Sequence, residues 1–209
     1  MRILVVSATS FEVESLRSEV GSQKSKVEFL ITGVGMVATA FALGKHLATN
    51  QYDLVVNLGV AGSFDRSIAL GEAVEVVEDQ LSELGAEDDE DFLTIETLGF
   101  GESAFKTDIR LSSYTGQQLK QVTAITVNTV HGNEPSIQKL VSRIQPQVES
   151  MEGAAFFYAC KQADIPCLQI RAVSNYVEKR DRDAWQIGLA IKNLNSFAIG
   201  FIEEVVRST

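Results

Sequence analysis

The sequence predicts an α/β fold, a single domain over residues 1–209 in three layers (α/β/α) around a mixed, largely parallel central sheet. Three observations predict it. Short β-rich apolar runs recur along the chain, continuous rather than alternating, as strands covered on both faces read. Stretches of helical period follow several of these runs, the order that parallel strands joined by helical crossovers require. A chain of 209 residues, 45% hydrophobic with three prolines, can bury one full-sized core without a linker.

The elements follow in order. Ile3–Val6 is the first strand, and Glu12–Val20 the helix after it. Val27–Ile31 is the second strand; Gly33-Val34-Gly35 punctuates it and a helix runs over Met36–Thr49. Leu54–Leu58 is a third strand, ending in Gly59-Val60-Ala61-Gly62-Ser63, and Val74–Val77 a fourth. Glu72–Leu98 is less regular, with extra strands or loops expected. Its acidic run Glu87–Asp91 reads as a solvated loop, because neighbouring carboxylates repel and seek water. Val122–Val127 is a strand and Pro135–Ile144 a helix. Glu152–Ala163 is helical, Leu168–Val173 is the last strand, and Asp183–Val206 is the closing helix. No internal repeat is present.

Composition excludes several classes. Eighteen basic against 28 acidic residues give a net charge of −10, so a phosphate backbone would be repelled and no nucleic-acid partner is expected. No apolar run nears the roughly 18 residues of a spanning helix. The apolar run at the N-terminus is too short for a secretory leader. A cytoplasmic protein without membrane contact is expected. Cys160 and Cys167 with His46 and His131 make neither a disulfide framework nor a zinc site, and no metal or cofactor is expected. The cysteines read as small core residues, His46 as an ordinary helix residue and Trp185 as a packing residue.

Ligands of open α/β sheets sit at the carboxyl ends of the strands, so the segments after each strand are the places to search. Gly33-Val34-Gly35-Met36-Val37-Ala38 matches a dinucleotide fingerprint in form. It follows the second strand rather than the first, however. The acid at the right spacing, Asp53, precedes its strand and belongs at the opposite sheet end. A glycine turn for close helix packing is the better account. A stronger constellation is Glu12, Glu152 and Asn175: two carboxylates and an amide, each after a strand or at a helix start, on one rim. Such a set suits a polar, hydroxylated ligand. Taken alone, Glu152 is also a helix N-terminal acid complementing the dipole.

Glu12-Val13, Thr32-Gly33-Val34-Gly35, Asn57-Leu58-Gly59-Val60-Ala61-Gly62, Ser150-Met151-Glu152-Gly153-Ala154-Ala155 and Arg171-Ala172-Val173-Ser174-Asn175 occur in this order and span most of the chain. Together they resemble the nucleoside phosphorylase and nucleosidase superfamily. The run Ser150–Phe157 and the segment from Ser174 to Trp185 narrow the resemblance to its futalosine hydrolase branch; the methylthioadenosine/adenosylhomocysteine nucleosidases are the neighbouring branch.

The resemblance implies a nucleoside phosphorylase-like fold and cleavage of a purine N-ribosidic bond. For this branch the substrate is futalosine, split into hypoxanthine and dehypoxanthine futalosine in menaquinone biosynthesis. Such cleavage passes through an oxocarbenium-like ribose and needs an activated water, a stabilised sugar and a satisfied leaving base. The resemblance assigns Glu12 to the water, Met151 and Glu152 to the ribose, and the backbone at Ala61 and Gly62 to the pocket lining. It also implies a homo-oligomer, with a dimer favoured. Adenosine-cleaving relatives carry an aspartate at position 175. Asn175 has no titratable proton but can donate to a 6-oxo group, so a 6-oxopurine is expected. The phosphate-gripping arginine and serine of the phosphorylases correspond to Asn57 and Val60, so water is the expected acceptor. Lys179, Arg180 and Arg182 are candidates for a carboxylate beyond the 5′ position, Arg180 foremost. His131 either lines the base or 5′ side or is structural. The competing expectations are a methylthioadenosine/adenosylhomocysteine nucleosidase and a nucleoside-binding module without turnover.

Overall fold

A computed structural model describes residues 1–20 and 26–207. Ten strands and five helices are present among them, in the order β1 (Ile3–Ser7), α1 (Glu14–Glu19), β2 (Val27–Ile31), α2 (Met36–Leu47), β3 (Leu54–Ser63), β4 (Ala73–Leu81), β5 (Gly85–Asp88), β6 (Asp91–Thr94), β7 (Ala104–Lys106), β8 (Lys120–Thr126), α3 (Glu134–Arg143), β9 (Val148–Ser150), α4 (Gly153–Gln162), β10 (Cys167–Tyr176) and α5 (Ile187–Arg207). The main sheet runs β10-β4-β8-β9-β3-β1-β2, with β7 on β4, while β5 and β6 form a separate hairpin. Pairs β1–β2, β1–β3, β3–β10, β4–β8 and β8–β9 are parallel; β4–β10, β3–β9 and β4–β7 are antiparallel. The expected mixed, largely parallel sheet is therefore present.

β3 also pairs with β10, which closes five strands into a ring. β10 takes one edge of β3 from Val55 to Ser63. The other edge holds β1 only through Asn57 and then meets β9 at Gly62 and Ser63. Between those points β3 has two diverging neighbours. A gap at the carboxyl end of a central strand is where α/β sheets take ligands.

The covering layers follow from the two-residue period of the strands. Ile3 and Val5 face α1 and α5, packing with Leu16, Leu194, Ala198 and Phe201. Leu4 and Val6 face the opposite layer, with Leu43 of α2 and Phe156, Phe157 and Cys160 of α4. The stripe on α5, buried at Ala190, Leu194, Ala198, Phe201, Ile202 and Val205, repeats at three- and four-residue spacing, the condition for a helix lying on a sheet. Cys160 and Cys167 are both buried, as their sequence context implies. Among the described residues, no helix is long and apolar enough to cross a membrane.

Several boundaries differ from the sequence expectation. β3 continues through Gly59 and Gly62 to Ser63 instead of breaking after Leu58. The acidic run is exposed as expected, but it forms the tip of the β5–β6 hairpin, with Asp89 at φ +54°, rather than a loop. The closing helix starts at Ile187, because Asp181 caps a separate 3-10 turn at Arg182–Ala184. Trp185 therefore precedes that helix. His46 does more than occupy α2: its Nε2 lies 2.7 Å from the Tyr52 hydroxyl, which donates to Glu28 at 2.5 Å. Asp53 accepts from the Arg2 backbone N–H at 2.5 Å, at the amino end of the sheet, where its position before the strand puts it.

Candidate active site

Beside the gap along β3 lies a cavity of about 310 Å³. Glu12, Ala61, Gly62, His131, Met151, Glu152, Asn175 and Arg180, eight of the positions singled out from the sequence, line it. Lys179 and Arg182 are not among its lining residues.

Glu12 stands in the 3-10 turn after β1 and is buried. Its Oε2 accepts from the Thr9 N–H at 2.9 Å, the Thr9 hydroxyl at 2.9 Å and the Ser7 hydroxyl at 3.0 Å. Its Oε1 accepts from the Val60 N–H at 3.3 Å. The small polar residues of the first loop thus serve to fix one carboxylate. The buried Asn195 of α5 secures the turn from behind, donating to the Glu12 carbonyl and accepting from the Leu16 N–H, each at 2.8 Å. One carboxylate oxygen is saturated while the other holds a single, longer bond, which leaves Oε1 able to take a further proton or donor.

Arg171 lies beside it. A β-carbon on Gly59 would sit 2.2 Å from Arg171 Nη1 and 3.2 Å from Glu12 Oε1, so that glycine is the notch through which the guanidinium passes. Arg171 is 2% exposed and donates to Gln169 Oε1 at 3.3 Å. Gln169 in turn donates to Asp79 Oδ2 at 2.9 Å, and Thr126 donates to Asp79 Oδ1 at 2.8 Å. Thr126 accepts from the Ala154 N–H at 2.7 Å, in the first turn of α4. A buried chain of hydrogen bonds therefore links Arg171, next to Glu12, with the start of the helix that follows Glu152. Burial raises the Asp79 carboxyl to about 6, against the lowering effect of its two donors and of Arg171. Sequence reasoning missed this chain. Its one visible signal is polar residues (Asp79, Gln169, Arg171) at inward positions of otherwise apolar strands.

Glu152 occupies the cap position of α4, but its side chain makes no cap hydrogen bond there. It lines the cavity and accepts from the Gly35 N–H at 3.0 Å. This corrects the view of Gly33-Val34-Gly35 as a packing turn only. Gly33 at φ +88° and Gly35 at φ +97° turn a backbone donor toward a carboxylate. The dinucleotide-like pattern is thus a holder for Glu152.

Asn175 follows a register shift in β10 between Val173 and Asn175, a bulge that re-aims the strand end. Its Oδ1 accepts from the Ser174 hydroxyl at 2.8 Å and its Nδ2 donates to the Tyr176 carbonyl at 3.0 Å. One amide hydrogen remains for a ligand. Across Gly62, His131 Nδ1 lies 2.7 Å from Glu149 Oε2, and the His131 N–H donates to Glu149 Oε1 at 3.0 Å. This pair raises the imidazole above its ordinary 6.5. Arg180 lies over the Trp185 ring, 4.8 Å from its centroid, and both side chains line the cavity. Trp185 is thus a site-wall residue as well as a packing one. Asn57 is buried within β3, donating to the Val6 carbonyl at 3.3 Å, and is not among the cavity-lining residues. Among the described residues, no three His, Cys, Asp or Glu side chains cluster as a metal site would.

A closed mixed sheet, two buried carboxylates each held by backbone N–H donors and an amide at a bulged strand end define a pocket for a small polar ligand. The chain belongs to the phosphorylase superfamily, whose family description it matches over residues 2–207. It is 30% identical to the futalosine hydrolase of Streptomyces coelicolor, over 100% of this chain and 97% of that one. It is equally 30% identical to the futalosine hydrolase of Thermus thermophilus, over 91% of each. Among solved structures, the methylthioadenosine/S-adenosylhomocysteine nucleosidase of Colwellia psychrerythraea in complex with adenine superposes with a TM-score of 0.82. It is 22% identical, over 98% of this chain and 96% of that one, and so shows the shared fold.

Proposed function

We propose that the chain is a purine nucleosidase of the futalosine hydrolase type, splitting the N-ribosidic bond of a 6-oxopurine nucleoside with water. The observation that carries this is the pair of buried carboxylates on one cavity. Glu12 has one oxygen saturated and one available, and Glu152 is held by the Gly35 N–H. In this reading Glu12 takes the proton of the attacking water, with the Arg171 guanidinium beside it. Met151 and Glu152 hold the ribose hydroxyls, and the Glu152 charge favours the developing oxocarbenium. The free amide hydrogen of Asn175 suits a 6-oxo group and opposes a 6-amino group, a mismatch worth about 1–3 kcal/mol. Arg180, the one lysine or arginine lining the cavity among the described residues, suits the carboxylate beyond the 5′ position.

A second copy of the chain is part of the same proposal. Val34, Val37 and Phe41 are exposed at helical spacing, close in sequence to Gly35, and Phe11 is exposed next to Glu12. Val34 also lines the cavity, so a partner covering this stripe would extend the cavity wall. Sedimentation should then give twice the 22.8 kDa chain mass. The catalytic reading predicts hypoxanthine from futalosine in phosphate-free buffer, and little or no base from inosine or methylthioadenosine. Adenine from methylthioadenosine would favour the neighbouring nucleosidase branch. Release only on adding phosphate would make the acceptor phosphate rather than water. Binding without release would leave a nucleoside-binding module.

A further inference from the structure

The arrangement around Asn175 leaves one chemical need unmet. A purine leaves a ribose readily only if its imidazole ring gains a proton as the bond breaks, and an amide cannot supply one. Asn175 is further committed by its contacts to Ser174 and Tyr176, which leave it a neutral donor. A β-carbon on Gly62 would lie 3.3 Å from Asn175 Nδ2 and 3.5 Å from Glu149 Cγ, so the amide and the carboxylate flank the same residue. Glu149 is 3% exposed and spends both oxygens on His131, one on its ring and one on its backbone N–H. That clamp fixes Nδ1 as the nitrogen facing the carboxylate. Nε2 has no hydrogen-bond partner among the described residues and is not among the buried unpartnered atoms, while His131 itself lines the cavity. Phe64 meets the ring edge-on at 6.3 Å and limits its rotation.

We propose that His131, clamped at Nδ1 and at its backbone N–H by Glu149, is the general acid that protonates N7 of the departing 6-oxopurine; this rests on the nucleosidase reading above. The N9–C1′ electron pair leaves with the base as the His131 Nε2 proton moves to N7. The water oxygen bonds to C1′ and its proton passes to Glu12, so the free base and the 5′-substituted sugar, now hydroxylated at C1′, form with no other reactant. Solvent then reprotonates His131 and deprotonates Glu12. His131 is the catalytic residue here, since it touches the base; Glu149 is a positioning residue that keeps the imidazole charged and aimed.

Other charges facing this imidazole bear on its titration. Glu83 raises it along with Glu149. A second cleft that His131 also lines carries Glu83, Glu87, Asp91, Lys139 and Arg143. The main cavity, which His131 also lines, carries Glu12, Glu152, Glu178 and Arg180. The hydrogen bond to Glu149 raises it most, opposed by burial.

The test is the pH dependence of kcat for the full-length protein, with H131Q and E149Q beside it. Wild type should lose rate toward alkaline pH, with the limb above the ordinary 6.5 of an imidazole. H131Q should lower kcat by about 10²- to 10⁴-fold with KM within a few fold, and the alkaline limb should vanish. E149Q should keep the limb but move it to lower pH, which a merely structural role would not do. On a substrate methylated at N7, whose base leaves without a proton, H131Q should come within about tenfold of wild type. Unchanged kcat in H131Q, or a loss equally large on the methylated substrate, would overturn the assignment. If wild type releases no base from any 6-oxopurine nucleoside, both proposals fall together; wild-type release with an indifferent H131Q removes this one alone.

Discussion

Replacing Gly153 by alanine sets two physical effects against each other. Gly153 is the first residue of α4, and helix propensity favours alanine over glycine there by up to about 1 kcal/mol. The added β-carbon, however, would lie 1.9 Å from Asp79 Oδ2 and 2.3 Å and 2.8 Å from Gln169 Oε1 and Nε2. Those side chains are fully buried and cannot swing into solvent. Asp79 would have to retreat by more than an ångström, which breaks the 2.9 Å bond from Gln169 and loosens the one from Arg171 to Gln169. Leaving one or two buried polar groups unsatisfied costs about 1–3 kcal/mol each. Packing should therefore outweigh propensity, with a net destabilisation of roughly 2–5 kcal/mol. Urea denaturation measures it as a lower midpoint at unchanged slope. Because the chain of bonds ends beside Glu12 and at Ala154, two residues after Glu152, kcat/KM should fall as well. A G153A protein as stable as wild type, or more stable, would mean that propensity wins and that the Asp79–Gln169–Arg171 chain is slack.

Three further outcomes follow from the site. G35A meets open space but requires φ +97° and ψ 159°, a region reserved for glycine, so stability should fall by about 1–3 kcal/mol and KM should rise as Glu152 loses its backbone donor; thermal unfolding and steady-state kinetics read both. N175D should shift preference from 6-oxo toward 6-amino nucleosides by roughly tenfold or more, measured as the ratio of kcat/KM values, and an unchanged ratio would remove Asn175 from base selection. Asp79 sets a pH dependence: its carboxyl is raised from 3.8 to about 6, so the native state holds the proton more tightly than the unfolded chain does. That contribution is complete below 3.8 and lost as pH rises through about 6. At about 1.4 kcal/mol per pH unit it amounts to roughly 3 kcal/mol, seen as wild type gaining stability over D79N between pH 7 and pH 4.

What was legible in the sequence is what local pattern encodes. The strands at Ile3, Val27 and Leu54 and the long apolar stripe of α5 are periodicities, readable without partners. The rim positions Glu12, Glu152 and Asn175 are polar residues placed where strands end and helices begin, and the fold brings them to one cavity. What stayed hidden depends on residues far apart in the chain. Gly59 reads as a loop glycine, yet it lies inside β3, because the obstacle a side chain would meet there is Arg171, contributed by β10. Gly35 reads as part of a cofactor fingerprint, yet its N–H serves a carboxylate 117 residues later. Glu149 carried no signal of its own, since its meaning lies in a histidine 18 residues earlier on a different strand end. In each case the local sequence states that something small, or something charged, is needed, and only the pairing of strands says for what. The ring closure of β3 with both β9 and β10 is therefore the decisive non-local event. It sets Glu149 opposite Gly62 and Asn175 next to it. A substitution that shifted the register of β9 by one residue would leave every motif intact and still separate the imidazole from the base.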